Sequence, residues 1–397
     1  MKLVDISEFF SDFGGGVRTY VHQKLEACAE AGVEATIIAP GPADRRETRH
    51  GGEVIWVRSP ALAFDHRYHL FSRSKPVHDL LDEIKPDIVE GSSTWKGAWI
   101  AGDWQGPAAE RAARSLFLHQ DPVAVYPHSL LSPRIDETRL DQLCFWFWAY
   151  MRRLAKSFGS VVVASEWFAA RLKAHRVGKP SVIPLGVEKT TFSPKLRNEI
   201  VRRQMLAECG VNDPDAVLFI AVSRHHPEKR LGMMIDAFQL YSQNNAAGLV
   251  IIGDGPAWRT IHKRAAACPG VKIAGQIGDR EDLATRIASA DYFVHGGAAE
   301  TFGLVIAEAL SAGLPFVAPH IGGAADFAHP AYSETYRAGD AAACADAMAR
   351  ITGRDRQELA IAARAGGNRV NTPSDHFDVL IAHYEQLILE QRLRIAA

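Results

Sequence analysis

Eight residues in the second half of the chain have the types and spacing to hold an anionic, hydroxyl-bearing molecule. Glu300 and Glu308 bracket the start of an apolar, alanine-rich segment in "ETFGLVIAEALSAG", residues 300 to 313, with Thr301, Phe302, Gly303 and Leu304 between them. Carboxylates accept hydrogen bonds from hydroxyls, and the free N–H groups of a helix start attract anions. Upstream, Arg224 and Lys229 stand on either side of Pro227 in "VSRHHPEKRLG". Arginine offers a planar fork and lysine a point charge, a combination suited to gripping a diphosphate. Each feature alone has a plainer reading, because a carboxylate on a helix face or a cation in a loop is ordinarily just solvated.

A glycine cluster, "DFGGGVRTYV", lies near the amino terminus at residues 12 to 21. A dinucleotide fingerprint needs GxGxxG directly after the first strand; here Thr19 occupies the third glycine position and "EFFSDF" intervenes, so a nicotinamide oxidoreductase is a poor match. Gly15 and Gly16 still let a phosphate or sugar approach the backbone closely. His119 ends a strand-like stretch in "FLHQDPVAVYPH", residues 117 to 128. The DxD pair Asp213 and Asp215 in "VNDPDAV" precedes a strand and reads as a turn or cap, so no metal is expected.

These residues need a scaffold, and the chain supplies an α/β one. Short β-rich runs alternate with helix-like segments from end to end, the pattern of doubly wound parallel sheets. Strand candidates in the first half are "KLVDIS", "EATIIAP", "EVIWVRS", "PDIVEGSS", "SLFLHQ", "SVVVAS" and "SVIPLG". The second half restarts with "AVLFIAVS", "GLVIIGD", "VKIAGQ", "DYFVHGG" and "PFVAP". With 397 residues, two domains are expected. The boundary falls near residue 190, giving domains 1–190 and 191–372 that face each other across a cleft. Residues 373–397 form a last amphipathic helix that packs back toward the first domain. In such sheets, ligands bind outside the carboxyl ends of the strands, where Glu300 sits.

Composition narrows the class. A formal net charge of -1 gives no footprint for nucleic acid. Five scattered cysteines without a CxxC pair fit a reducing cytoplasm and neither a disulfide frame nor a zinc site. The start "MKLVDISEFF" reads as a strand rather than a signal peptide, and no apolar run is long enough to span a bilayer.

The second-half motifs, "VSRHHPEKR", "VIIGDGPAW", "VKIAGQIGDREDL" and "SADYFVHGGAAETFGLVIAEALSAGLPFVAPHIGGAADF", resemble in order and spacing the donor-binding half of family 4 glycosyltransferases, which have the GT-B fold. The segment "GVEKTTFSP" (186 to 194) is similar to the linker such proteins carry. This resemblance implies a retaining, metal-independent, cofactor-free transferase acting on a nucleoside-diphosphate sugar, UDP or GDP linked. Arg224 and Lys229 would hold the diphosphate, Glu300 the hydroxyls of the transferred hexose or uronic acid, and Glu308 the ribose diol. Thr301 and the backbone N–H groups of Phe302, Gly303 and Leu304 would lie against the phosphates, with Gln276 and Ile277 near the base. In the first half the resemblance is looser: His119 would face the reacting centre, and Gly15 and Gly16 would lie beside donor phosphate and acceptor. Arg230 where glycine is common, Asp326 where glutamate is frequent, and the missing proline and serine before Glu300 leave the donor open.

The acceptor implied is a lipid or saccharide of the cell envelope. "DQLCFWFWAYMRRLAKSF" (141 to 158) and "FDHRYHLFSRSK" (64 to 75) combine aromatics with cations. They fit either peripheral contact with an anionic membrane at the inner face, or a helix that buries Trp146 and Trp148 and solvates its basic residues. A GT-B sugar-nucleotide epimerase and a catalytically silent sugar-nucleotide binder are the alternatives to a transferase.

Overall fold

The computed structural model describes residues 1–12, 16–62, 65–128, 131 and 137–397. Gly15 lies outside the described residues. The chain forms two compact units. One comprises Met1–Gln120, Cys144–Pro184 and Pro373–Ala397; the other comprises Leu185–Thr372 together with Asp121–Leu143.

The first unit is built on strands β1 (Lys2–Ile6), β2 (Glu34–Gly41), β3 (Arg45–Arg49) and β4 (Gly52–Arg58). A small antiparallel ribbon, β5 (Ala61–Leu62) with β6 (Asp65–His69), follows. Then come β7 (Ile88–Gly91), β8 (Ala113–Phe117), β9 (Ser160–Val163) and β10 (Pro180–Val182). The sheet order is β10-β9-β8-β7-β1-β2-β4-β3, parallel except for β3. Central strands such as β2, whose residues after Glu34 are all buried, are covered on both faces, as parallel sheets must be. Val4, Ile6, Ile38, Val89 and Trp104 belong to its core. The sequence reading does not include β3, "RRETR", since its charges break the apolar pattern. Those charges suit an edge strand, where they discourage pairing with another chain.

A buried ionic cluster sits in this unit. Lys24 Nζ donates to Asp5 Oδ2 at 2.9 Å and to Glu90 Oε1 at 2.7 Å, while Ser92 Oγ lies within hydrogen-bond reach of both carboxylates. Tyr384 of the carboxyl-terminal helix donates to the other oxygen of Glu90. That helix, Pro373–Ala396, packs on the helix Gly16–Glu30 and on β8. Its His383 Nε2 lies 2.8 Å from Ser160 Oγ.

The second unit has strands β11 (Val217–Val222), β12 (Ala247–Ile252), β13 (Val271–Gly275), β14 (Tyr292–Val294), β15 (Phe316–Pro319) and β16 (Ser333–Tyr336). They form an all-parallel sheet of order β13-β12-β11-β14-β15-β16. The order reverses direction between β11 and β14, which is the topological switch point of an open sheet. At the amino end of that strand pair, Asp291 accepts from Arg202 Nη2 at 2.6 Å and from the Leu218 N–H at 2.9 Å, locking the register. Phe219, Phe238, Tyr241, Ile251 and Tyr292 lie in the core beneath.

All five cysteines are buried, and none is in a disulfide. No described helix is long and apolar enough to cross a membrane.

Candidate active site

Because every strand of the second sheet runs the same way, all its strand-to-helix loops emerge at one edge. Arg224 and Lys229 follow β11, Gln276 and Ile277 follow β13, and Glu300 to Leu304 follow β14. Lys229 and Glu300 therefore meet over the switch point, although 71 residues separate them. Lys229 Nζ donates to Glu300 Oε1 at 2.7 Å and lies 3.5 Å from Glu228 Oε1. Lys229 closes the 3-10 turn Pro227–Lys229, and this turn is pressed onto the exit of β14. A Cβ at Gly296 would stand 2.5 Å from the Lys229 carbonyl oxygen, so only glycine permits the approach.

Electrostatics hold the pair charged. Burial raises the Glu300 carboxyl, but Lys229 and His295 more than offset it and bring the group below its ordinary value. Burial likewise disfavours the Lys229 ammonium, and Glu300 and Glu228 reverse the sign. Arg224 is exposed and makes no side-chain hydrogen bond or ion pair with the described residues, so its fork faces solvent.

The helix Leu304–Ser311 begins beside Glu300. Gly303 caps it in the left-handed region at φ 86, where no side chain satisfies the first N–H groups. Its first backbone bonds are donated by Ile306 and Ala307 to the Gly303 carbonyl, leaving the Leu304 and Val305 N–H groups ahead of the ladder. Phe302 and Gly303 are buried, Thr301 is half-buried and Leu304 is exposed. The Gly323 N–H donates to the Glu300 carbonyl at 2.6 Å and ties the next loop to this one.

Glu308 lies in the same helix, half-buried, with Arg280 Nη2 at 3.8 Å. Burial pushes its carboxyl up to about 7, against the pull of Arg280. Gln276 is exposed and Ile277 half-buried, just past Gly275. Two residues here were not assigned from the sequence. Arg280 could have been suspected as a cation at a helix start, and His295 as a polar side chain ending an apolar strand.

In the first unit, Gly16 opens the helix Gly16–Glu30 with nothing within 4 Å of a Cβ built on it. His119 lies two residues beyond β8, stacked on Phe117 at 4.2 Å and edge-on to Tyr20 at 4.9 Å. Burial, with Lys24 and His376 adding to it, pushes its pKa down to about 3 against the opposing effect of Asp5. It is therefore a neutral ring. Asp213 and Asp215 form a turn, Asp213 Oδ1 accepting from the Asp215 N–H at 2.9 Å. On the helix Phe145–Ala155 the two tryptophans separate: Trp148 is 2% exposed and stacks on His175, whereas Trp146 is 63% exposed.

Residues 14–190 match the model of Glycosyltransferase Family 4, and residues 216–353 match that of Glycosyl transferases group 1. The chain is 30% identical to a GDP-mannose-dependent alpha-mannosyltransferase of Mycolicibacterium smegmatis, covering all of both chains. It is 28% identical to a GDP-mannose-dependent alpha-(1-6)-phosphatidylinositol dimannoside mannosyltransferase of Mycobacterium tuberculosis, over 80% of this chain and 79% of that one. Among solved structures, sucrose-phosphate synthase from Thermosynechococcus elongatus superposes with a TM-score of 0.76 at 20% identity, covering 98% of this chain and 99% of that one. Anabaena HepE, in complex with UDP and glucose, gives 0.70 at 16% identity over 97% and 99%. The fold is GT-B, and the chain belongs to glycosyltransferase family 4.

Proposed function

We propose that this glycosyltransferase moves a hexose from a nucleoside-diphosphate sugar to a hydroxyl of a glycolipid or saccharide of the cell envelope, with GDP-mannose the foremost donor. The observation that carries the site assignment is the Lys229–Glu300 contact at the switch point, beside an uncapped helix start. The donor choice draws support from the relatives, several of which are named GDP-mannose-dependent mannosyltransferases. UDP-sugars are the competing donors, since HepE is described with UDP and glucose.

In this reading Arg224, Lys229 and the N–H groups at Gly303 and Leu304 stabilise the diphosphate as the anomeric C–O bond breaks, without a bound metal. Each charge-assisted bond contributes about 1.5–3 kcal/mol. Glu300 accepts hydroxyls of the transferred sugar, Glu308 takes the ribose diol, and Gln276 and Ile277 flank the base. The acceptor hydroxyl attacks on the face the diphosphate leaves, so configuration is retained, and a departing phosphate oxygen takes its proton. His119, held neutral, positions a hydroxyl by hydrogen bonding. Residues 1–190 serve the acceptor and 191–372 the donor.

A thermal-shift panel of GDP, UDP, ADP and their sugars, followed by product analysis with a lipid acceptor, tests this. Bound ligand in excess of its Kd raises the apparent stability. The expected outcome is stabilisation by GDP and GDP-mannose and transfer of mannose; failure of every nucleotide to stabilise the protein defeats the reading. Trp146 and Phe145, exposed on a helix that also carries Arg152 and Arg153, support work at the cytoplasmic face of a membrane. Flotation with phosphatidylglycerol vesicles at low salt should recover the protein, and an empty top fraction refutes that part.

A further inference from the structure

His295, directly after β14, has no role in the assignment above. Its side chain is 3% exposed, and Nε2 has no hydrogen-bond partner among the described residues. That atom lies 3.5 Å from Glu300 Oε1, the same oxygen that accepts from Lys229 at 2.7 Å. The separation is just beyond hydrogen-bond range. The Gly297 backbone beside the ring favours its protonated form. A neutral ring with its proton on Nδ1 presents Nε2 as an acceptor. An acceptor facing a carboxylate oxygen gains nothing until a proton stands between them.

The charged groups facing the ring are Glu300 and Lys229, and the Tyr336 hydroxyl donates to the His295 carbonyl. Burial brings the ring down to about 4, Glu300 opposes this, and Lys229 reinforces it. Lys229 thus has two effects: it neutralises Glu300 and keeps His295 unprotonated. Turning the ammonium toward a diphosphate removes both, leaving a buried carboxylate whose nearest replacement donor is His295.

We propose that His295 is the positioning residue of Glu300, binding a proton from solvent at Nε2 and taking over the Glu300 carboxylate when Lys229 turns to the donor diphosphate. This rests on the assignment of Lys229 to the diphosphate. The proton forms an N–H toward Glu300 Oε1, Lys229 keeps its own three protons, and the aim of Glu300 at the sugar survives the exchange of cations.

Calorimetric titration of the full chain with GDP, and with UDP in parallel, in buffers of different ionisation enthalpy reads the proton directly. Wild type should take up to about one more proton per nucleotide than His295→Gln at pH 7.5, with nucleotide binding retained in the variant. Equal uptake in the two proteins overturns the proposal and leaves the diphosphate reading standing. Should His295→Gln not fold, the His295 ring resonance followed by NMR in wild type decides. Its titration midpoint should rise by about four pH units on adding nucleotide, and should also rise in ligand-free Lys229→Ala. A midpoint unmoved in both overturns it. Unaltered nucleotide binding by Lys229→Ala removes the diphosphate reading, and the proposal with it.

Discussion

Lys229 and Glu300 share a 2.7 Å hydrogen bond across the one place in the second sheet where the strand order reverses. Glu228 and His295 flank that bond. It holds a cation against the loop that leads from β14 into the helix Leu304–Ser311.

Replacing the cation tests the diphosphate assignment. Lys229→Ala should lower turnover by roughly 10²–10³ in a radiolabelled transfer assay, the scale expected for removing a group that stabilises developing charge. Transfer close to wild type refutes it.

The sugar-binding role proposed for Glu300 is separable from nucleotide binding. Glu300→Gln should cut transfer by about 10²-fold or more while GDP affinity stays within about tenfold, because the sugar and not the nucleotide loses its acceptor. Parallel loss of both in kinetics and calorimetry contradicts the assignment.

Glu308 makes a pH-dependent prediction. Its carboxyl sits at about 7 in the folded chain and 4.5 in the ordinary state, so folding favours its protonated form. The stability it contributes is complete below about pH 4.5 and is lost as pH rises through about 7. Glu308→Gln should therefore raise the melting temperature at pH 8, by at most about 3 kcal/mol of stability, and not at pH 4.5. If Glu308 accepts the ribose diol as proposed, it must be ionised, so nucleoside affinity of wild type should weaken below about pH 7 and that slope should vanish in the variant.

His119 is neutral throughout the working range, with its pKa near 3. Its loss should be met by a neutral hydrogen-bonding residue better than by a small one: His119→Asn should retain about tenfold more transfer than His119→Ala. Equal activity of the two variants points to a purely structural ring.

Lys24 neutralises two buried carboxylates, Asp5 and Glu90. Lys24→Met should cost about 3–5 kcal/mol in chemical denaturation, because it strands buried charge. A cost below about 1 kcal/mol means that water reaches the cluster.

The sequence alone carried the class of fold and the family. Alternating β-rich and helical runs are local signals, and "ETFGLVIAEALSAG" and "VSRHHPEKR" are contiguous stretches that can be read without knowing what lies beside them. The roles implied for Glu300 and Lys229 came from those stretches, but their contact did not. It depends on β11 pairing with β14 rather than with its successor alone, a choice made by the packing of whole strands and fixed at the far end by Asp291 and Arg202. The edge strands β3 and β16 escaped notice because charges and hydroxyls are affordable where one side is open. Trp146 and Trp148, two positions apart, looked alike in sequence; a helix turns about 100° per residue, so one faced the core and the other water. His295 was visible as a letter in "DYFVHGG", yet its importance is a distance and a burial. Sequence fixes which side chains are available, whereas the proton affinity of each is set by charges that only tertiary folding brings within a few ångström.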